Sequence, residues 1–267
     1  MSSRPQPEKG AAFEALHRGD PFVIPNPWDA GSARVLEALG FPALATTSSG
    51  FAFTLGRLDG AVALDEVAAH VESICRATDL PVSVDLENGY ADEPEHVAAA
   101  VARVAAAGAV GASIEDWDPR RARLYDAAHA AERVAAAVDA ARRLDFPFLL
   151  TARAENHIRG YPDLDDTIAR LQAFEREGAD VLYAPGLGTV DDIRRACAAV
   201  ERPVNVLAVP TLTLTEIFGA GAQRVSVGGA LTWVAAKAMA DAATAIVADG
   251  DLAVLAARLP LGDWFGS

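Results

Sequence analysis

The sequence has few cysteines and a shortage of positive charge. Its 267 residues include two cysteines, Cys75 and Cys197, and both fall in helical patterns without the spacing of metal ligands or of a redox pair. The formal net charge is −14, which argues against nucleic acid or an anionic membrane as a partner. A metal ion or an arginine can still create a local site for a small anionic substrate. We expect a reduced, cytoplasmic setting.

The sequence pattern also shows no apolar signal core, no membrane span and no interdomain linker. No stretch approaches about 18 apolar residues without a charge or a breaker. Hydrophobic residues make up 51% of the chain, which is enough for a sizeable core. We therefore predict one domain over residues 1–267, with an N-terminal extension and helix in residues 1–20. Residues 250–267 are predicted to form a C-terminal oligomerisation tail.

What recurs along the chain is a strand followed by a helix. Apolar runs such as "LPVSVDLE" and "FPFLLTARA" precede helical patterns such as "EPEHVAAAVARVAAAG" and "LDDTIARLQAFEREG". Eight such units of roughly 30 residues each predict a closed (β/α)8 TIM-type barrel. The alternative is a doubly wound open sheet. Such a sheet usually has a glycine-rich phosphate loop after its first strand, and here the first strand is followed by "PNPWDAGS".

Acidic side chains follow the predicted third and fourth strands, where a barrel of this kind carries its chemistry. Asp85 and Glu87 end the third strand and Glu115 ends the fourth. In an extended chain, Asp85 and Glu87 would leave the backbone on the same face. Carboxylates so close together repel unless a cation lies among them, and oxygen ligands suit Mg²⁺. Each acid alone could equally be a helix cap or a solvated loop residue, but the set predicts a magnesium site.

Polar groups on other strands could bind an anion. Arg153 lies within an apolar strand, so it must pair either with a rim acid or with a substrate carboxylate or phosphonate. The segment "TTSSG", residues 46–50, offers hydroxyl and backbone N–H groups to an anion, or forms an ordinary polar turn. Trp28 follows the first predicted strand and Asn205 lies on the seventh.

Five segments resemble the isocitrate lyase/phosphoenolpyruvate mutase superfamily. "VDLENGY" resembles its Asp-x-Asp-x-Gly-aromatic signature, "SIEDWD" its Ile-Glu-Asp element and "LTARAE" its Ala-Arg element. "ATTSSGFAFTLGRLDG" is similar to its serine-glycine loop and "NPWDAGSARVLEALGFPAL" to its opening strand and helix, all in order between about residues 20 and 235. The resemblance implies a (β/α)8 barrel, often tetrameric, that binds Mg²⁺, with Mn²⁺ as a possible substitute. A small 2-oxo or 2-hydroxy carboxylate would bind at the rim.

The resemblance also implies roles for individual residues. Asp85 would hold the metal, and Glu87 and Glu115 would act on it directly or through water. Asp59 would be an outer-sphere partner, and with Arg153 and Glu115 it forms the implied catalytic set. The implied substrate-binding residues are Trp28, Thr47, Ser48, Ser49, Gly50, Arg153 and Asn205. Among them Thr47 takes the place of a serine, Ser48 and Ser49 would donate backbone N–H groups to the carboxylate, and Arg153 would grip the substrate.

Two departures from the superfamily pattern leave the reaction open. Glu87 replaces the usual second Asp. The gating segment "WDPRRARLYD" has neither the Cys of the lyases nor the Asn or Thr of the phosphonate enzymes. The first hypothesis is C–C cleavage or decarboxylation next to a carboxylate, through a metal-stabilised enolate. The alternatives are P–C bond chemistry, as in a phosphonomutase or phosphonopyruvate hydrolase, and a barrel that binds carboxylates without turnover. Arg120, Arg121 and Arg123 could close over an anion or form a solvated loop.

The segment after the eighth predicted strand is longer than one barrel helix requires. "LTWVAAKAMADAATAIVADGDLAVLAARL" is apolar, and no ninth strand follows it. A second apolar helix there would need another surface to cover it. We therefore expect a homo-oligomer, a dimer or a tetramer, in which the extra C-terminal helix packs on a neighbouring subunit.

Overall fold

The structure is a computed structural model that describes residues 4–265, and its centre is a parallel sheet of eight strands. In chain order the strands are β1 (Phe22–Ile24), β2 (Leu44–Ala45), β3 (Val82–Asp85), β4 (Gly111–Glu115), β5 (Trp117–Asp118), β6 (Arg123–Leu124), β7 (Leu149–Arg153), β8 (Val181–Tyr183), β9 (Val204–Leu207) and β10 (Arg224–Ser226). β5 and β6 form a separate antiparallel hairpin. The other eight strands pair in the order β1-β10-β9-β8-β7-β4-β3-β2.

The two ends of this sheet meet, so the sheet is a nearly closed barrel. The Ala45 N–H donates to the Pro25 carbonyl (3.0 Å), which joins β2 to the end of β1. Asn26 strengthens the seam, because its Nδ2 donates to the Thr46 carbonyl (3.0 Å) and its Oδ1 accepts from the N–H groups of Val227 and Gly228 (both 2.9 Å). The topology confirms the predicted (β/α)8 barrel and rules out the open-sheet alternative.

Helices connect successive strands and cover the outside of the barrel. They are α1 (Gln6–Leu16), α2 (Ala30–Ala38), α3 (Ser48–Thr54), α4 (Leu64–Ala77), α5 (Pro94–Ala106), α6 (Ala127–Arg142), α7 (Leu164–Arg176), α8 (Val190–Ala198), α9 (Leu214–Gly219), α10 (Ala230–Asp249) and α11 (Leu261–Phe265). The strands are buried on both faces, which explains their continuous apolar runs. The main core lies between the strands and α2 to α9.

α1 closes the N-terminal end of the barrel, as the predicted N-terminal helix. Phe13 on α1 is fully buried in a small apolar cluster with Phe22, Ile24 and Val110. The next turn carries His17, which is also buried. A Cβ on Gly10 would lie 2.3 Å from the Pro147 carbonyl oxygen, so only glycine allows α1 to approach this closely. We call this closed end the barrel floor, and the opposite end, where the strands terminate, the rim.

The chain after β10 differs from the sequence-based expectation. α10 continues as one helix of 20 residues and is followed by a short 3-10 helix, Ala253–Ala256, where a second apolar helix was expected. α11 then contacts α2 of the same chain, with Arg34 donating to the Phe265 carbonyl (3.0 Å). α10 is mostly exposed, and by length and composition alone it is the one described helix that could cross a membrane.

Candidate active site

A cavity of about 180 Å³ opens at the rim and reaches into the barrel. The lining includes these residues that the sequence analysis had selected: Thr47, Ser48, Ser49, Asp59, Asp85, Arg153 and Asn205. Asp85 and Arg153 end β3 and β7, and Asn205 lies within β9. Thr47, Ser48 and Ser49 lie at the start of α3, and Asp59 lies in the loop between α3 and α4. The fold therefore brings together residues from distant parts of the chain. The other predicted site residues, Trp28, Gly50, Glu87 and Glu115, are not part of this lining.

Asp85 is fixed by donors on both sides of its carboxylate. Arg153 Nη1 donates to Oδ1 (2.8 Å), and the backbone N–H of Ser48 donates to Oδ2 (3.1 Å). Thr46 Oγ1 accepts from the Asp85 N–H (2.9 Å), which holds the end of β3 against β2. The Asp85 carboxylate therefore lines the cavity and is held there by donors from β7 and α3.

Arg153 lies among three carboxylates. Besides Asp85, its guanidinium contacts Glu115 Oε2 (3.2 Å) and Glu155 Oε1 (2.9 Å). Arg159 pairs with the same two glutamates, at 3.1 Å from Glu115 Oε1 and 3.1 Å from Glu155 Oε2. The sequence analysis gave Glu155 no role and missed Arg159, although its spacing of four residues from Glu155 was a signal for an ion pair.

Carboxyl groups outnumber guanidinium groups around the cavity mouth. Asp59, Asp85, Glu87, Glu115 and Glu155 face two arginines, Arg153 and Arg159. Burial raises the pKa of the Glu87 carboxyl to about 7, and burial together with the Asp85 charge raises the pKa of Asp59. Burial and the neighbouring Glu155 raise the pKa of Glu115. A carboxylate cluster of this kind is stabilised by an added cation.

The donor chemistry of this cluster fits Mg²⁺, because all of its ligands are carboxylate oxygens. In residues 4–265, however, no three acidic, histidine or cysteine side chains already converge as a ready-made metal site. Arg153 stands between Asp85 and Glu115 and bridges them. The residues fit the ion by the chemistry of their donor atoms.

Glu87 does not continue the strand as the sequence analysis assumed. β3 ends at Asp85, and Glu87 has a φ of 45°, in the left-handed region that is rare for residues other than glycine. Its side chain consequently points to a neighbouring cavity lined by Gly60, Tyr90 and Arg120. The Tyr90 hydroxyl donates to Glu87 Oε1 (2.7 Å). The expectation that Asp85 and Glu87 share one face of an extended strand is therefore wrong.

The "TTSSG" segment forms the start of a helix, neither an open loop nor a simple turn. Thr47 is the N-cap of α3, and its Oγ1 accepts from the Gly50 N–H (3.3 Å). Ser48 and Ser49 begin the helix and line the cavity. A Cβ on Gly50 would lie 2.6 Å from Thr47 Cγ2 and 2.7 Å from Thr232 Oγ1, so Gly50 allows α3 to pack closely on α10. Trp28 packs on the other side of Gly50.

A buried polar network lies below the acidic cluster. Asn205 Nδ2 donates to Ser226 Oγ (3.0 Å), and Asn205 Oδ1 accepts from Arg224 Nε (2.8 Å). Tyr183 lies above this pair, with the Arg153 guanidinium 5.2 Å from its ring centre. Asn205 is thus engaged by its neighbours and also lines the cavity.

The segment "WDPRRARLYD", which the resemblance assigns as the gating segment, contains the β5–β6 hairpin. Arg159 stacks 4.7 Å from the ring centre of Trp117, which ties the hairpin to the cluster. Asp118 is fully buried and accepts from Arg121 Nη1 (2.9 Å). Arg120, Arg121 and Arg123 are exposed, so the structure places them at the surface of the hairpin.

The model of the phosphoenolpyruvate phosphomutase family matches residues 13–247. The chain belongs to this family. The match covers the whole barrel, including every residue of the acidic cluster, and agrees with the superfamily that the sequence motifs indicated. An uncharacterized Mycobacterium tuberculosis protein, Rv1998c, is 34% identical over 236 residues, which are 88% of each chain. Oxaloacetate decarboxylase from Rhodopseudomonas palustris (strain HaA2) is 31% identical over 82% of this chain and 77% of its own length.

Solved structures of the family share this architecture. A protein from Burkholderia cenocepacia J2315, assigned broadly as a lyase/mutase, is 48% identical with a TM-score of 0.95, covering 98% of this chain and 97% of that chain. A 2,3-dimethylmalate lyase is 25% identical with a TM-score of 0.84, covering 97% and 93%. The relatives with an assigned reaction include a decarboxylase and a lyase, and the family model is that of a phosphomutase. This chain is therefore an enzyme of the carbon–carbon lyase or phosphonomutase type.

Proposed function

We propose that this enzyme acts on a small 2-oxo or 2-hydroxy carboxylate and, with Mg²⁺, breaks a C–C bond next to a carboxylate by cleavage or decarboxylation. The observation that carries the proposal is the surplus of carboxyl groups over arginines beside a cavity that also presents hydroxyl and N–H donors. The similarity to oxaloacetate decarboxylase and to 2,3-dimethylmalate lyase supports this class of reaction.

Asp85 would hold the ion, with Glu115 contributing directly or through water and Asp59 in the outer sphere. Glu87 would contribute through water, because its side chain points to the neighbouring cavity. Bound there, Mg²⁺ would polarise the carbonyl of the substrate and stabilise the negative charge that develops as the bond breaks. Mn²⁺ has the same preference for oxygen ligands and would be a substitute.

The residues of the chain bind and orient the substrate. Ser48 and Ser49 are at the first turn of α3, where N–H groups have no partner within the helix, and they would donate to a substrate carboxylate. The Ser48 N–H would exchange its bond to Asp85 Oδ2 (3.1 Å) for a bond to the substrate. Thr47 and Asn205 also line the cavity, and their side chains would offer polar atoms to the substrate. Arg153 would grip a second anionic group, since it already binds carboxylates in this position.

Proton delivery to the product would not use a thiol. The hairpin that takes the place of the gating segment has no cysteine, and both cysteines of the chain lie on outer helices, Cys75 on α4 and Cys197 on α8. Decarboxylation does not require an acid before CO₂ leaves, so it tolerates this sequence. Protonation of the product would then come from water.

The test is a parallel assay with oxaloacetate, a methylisocitrate-like acid and phosphonopyruvate, with Mg²⁺ and with EDTA. We expect Mg²⁺-dependent turnover of oxaloacetate or of the methylisocitrate-like acid. Crystals grown with Mg²⁺ and oxalate, which mimics the enolate of pyruvate, would show the ion at Asp85. If oxalate fails to bind even with Mg²⁺, the enolate mechanism is excluded.

P–C bond chemistry is the second candidate, and the exposed arginines of the hairpin favour it. Arg120 lines the neighbouring cavity together with Glu87, so a modest movement of the hairpin would bring positive charge to the mouth of the site. A phosphonate dianion would bind such charge strongly. Turnover of phosphonopyruvate alone in the parallel assay would reverse our ordering of the two reactions.

A further inference from the structure

A buried arginine without an acidic partner lies at the end of the cavity nearer the barrel floor, which we call the lower end. Arg224 is the first residue of β10, is 5% exposed and belongs to the cavity lining. Its guanidinium donates from Nε to Asn205 Oδ1 (2.8 Å), from Nη2 to Thr151 Oγ1 (3.1 Å) and from Nη1 to His17 Nε2 (3.0 Å). All three acceptors are neutral. Throughout residues 4–265, no aspartate or glutamate oxygen lies within ion-pairing distance of Arg224.

Arg153 and Arg224 differ in the charge around them, although both lie in one row of paired residues across adjacent strands. Arg153 pairs in register with Tyr183, Tyr183 with Asn205, and Asn205 with Arg224, on four adjacent strands. Three carboxylates compensate the charge at the Arg153 end. Among the residues that the structure describes, no carboxylate compensates the charge at the Arg224 end. Burial of an uncompensated guanidinium is costly, so the lower cavity has a strong preference for negative charge.

Arg224 also has donors to spare. A guanidinium carries five N–H groups, and the three hydrogen bonds above use three of them. His17 cannot supply the missing negative charge: its Nδ1 donates to the Phe13 carbonyl (2.8 Å), and its Nε2 accepts from Arg224. Two hydroxyl groups, those of Ser83 and Ser113, line the same cavity.

We propose that Arg224 makes the lower end of the cavity a binding site for a small anion, either an inorganic anion or a carboxylate group of a bound ligand. The site needs neither the metal nor the proposed reaction, because it rests on the charge of Arg224 and on its place in the cavity. It also divides the cavity by charge: the rim attracts a cation, and the lower end attracts an anion.

Bromide is the direct probe of this site, since its anomalous scattering locates it. Crystals of the whole protein soaked in sodium bromide, without Mg²⁺ or substrate, are expected to show bromide within hydrogen-bonding distance of the Arg224 guanidinium. In solution, sodium bromide is expected to raise the melting temperature of the wild type. Absence of bromide at Arg224 in crystals that bind it elsewhere would overturn the proposal.

Two variants separate charge from structural support. Arg224→Gln removes the charge and orphans no acid, so it should remain folded and lose the bromide-dependent stabilisation, with at least a tenfold weaker apparent affinity. Arg224→Lys keeps the charge and should retain most of the affinity. Arg142→Gln, at an exposed arginine that pairs with Asp180, is the control and should respond like the wild type. If Arg224→Gln keeps the wild-type response, Arg224 is a structural residue and the proposal fails.

Competition distinguishes the two sources of the anion. If malonate and bromide displace each other in the wild type, a ligand carboxylate occupies the Arg224 site. If their stabilising effects add, the site holds a separate inorganic anion. Either result supports the site, provided that Arg224→Gln abolishes it. Failure of the proposed reaction would show in the substrate assay alone and would leave the bromide measurements unchanged.

Discussion

Asp85 is the residue on which the proposed metal site depends most. Its carboxylate lies at the end of β3 between Arg153 and the Ser48 N–H, and it lines the cavity. We expect Mg²⁺ to raise the melting temperature of the wild type, since a ligand that binds only the folded state stabilises it, by about 2.7 kcal/mol at a hundredfold excess over Kd. Asp85→Asn, which keeps the size of the side chain, should abolish this response in a thermal-shift titration.

Asp180 supplies a matched control for this experiment. Its side chain is 19% exposed and pairs with Arg142, whereas the Asp85 side chain is 17% exposed and pairs with Arg153. Asp180→Asn should therefore lower stability in a similar way and keep the full response to Mg²⁺. Equal responses of Asp85→Asn and the wild type would show that the ion binds elsewhere.

His17 is expected to make stability depend on pH. Burial, with a smaller contribution from the Arg224 charge, lowers the pKa of His17 to about 3, against about 6.5 in the unfolded chain. Between these values the unfolded chain holds a proton that the folded chain does not, so stability falls as pH falls from about 6.5 toward 3. His17→Gln should remove about 1.4 kcal/mol per pH unit from this dependence near pH 5, measured by urea unfolding. The same replacement at the exposed His96 should change the slope little.

Single residues show where sequence reasoning reaches its limit. Arg153 was singled out because a charge in an apolar strand must be paired, and the structure gives it three partners. Arg224 in "AQRVSVGG" carries the same signal and was passed over. Glu87 was placed by assuming an extended chain, but its positive φ turns the side chain away. Backbone conformation beyond the end of a strand depends on tertiary contacts, here with Tyr90 and the Glu115 N–H, and not on local spacing.

At the scale of elements, the two cysteine-bearing helices are outer-layer helices of the barrel. Burial raises the pKa of Cys75 to about 12 and that of Cys197 to about 11, so both thiols stay protonated at neutral pH. A Cβ on Gly108 would lie 3.0 Å from Cys75 Cβ, and one on Gly221 would lie 3.0 Å from Cys197 Cβ, which shows both to be packing residues. The Cys75→Ala/Cys197→Ala double variant should keep turnover within a few-fold. A hundredfold loss would make a thiol the proton donor.

The regular elements could be predicted from sequence because their patterns are local. The alternation of strand and helix patterns predicted all eight barrel strands and most of the connecting helices. α3 was read as a loop, because a seven-residue helix with one threonine cap has too few apolar positions to show a period. The β5–β6 hairpin was missed for a related reason: its strands have two residues each, and a buried aspartate, Asp118, orders its turn.

For the whole molecule, the exposed α10 predicts assembly. Val234, Met239 and Val247 are 66%, 64% and 87% exposed, although the helix is rich in apolar residues. We propose that a second copy of the chain covers this surface, because unassociated proteins rarely leave so long an apolar surface in water. Light scattering at micromolar concentration should give a dimer or a tetramer.

Charge on α10 should weaken this assembly. The double variant Val234→Glu/Met239→Glu is expected to shift the molecular mass toward that of one chain, since it places charge in the apolar interface. Lys237→Glu, on the same helix but at an exposed position that pairs with Asp241, is the control and should change the mass little. A wild-type monomer at micromolar concentration would refute the prediction.

The β5–β6 hairpin has a consequence for how this chain could diverge under selection. The backbone bond from the Tyr125 N–H to the Asp116 carbonyl (2.8 Å) closes the hairpin at its base, and the cavity is lined from the barrel strands and neighbouring loops. Residues can therefore be inserted or exchanged between Asp118 and Arg123 without moving the acidic cluster, and each doubling of such a loop costs only about 0.6 kcal/mol. If the hairpin supplies the proton donor, as the superfamily resemblance implies, binding and the choice of reaction are encoded by separable stretches of the gene. A lineage can acquire a new proton donor in this turn while inheriting the rest of the site unchanged.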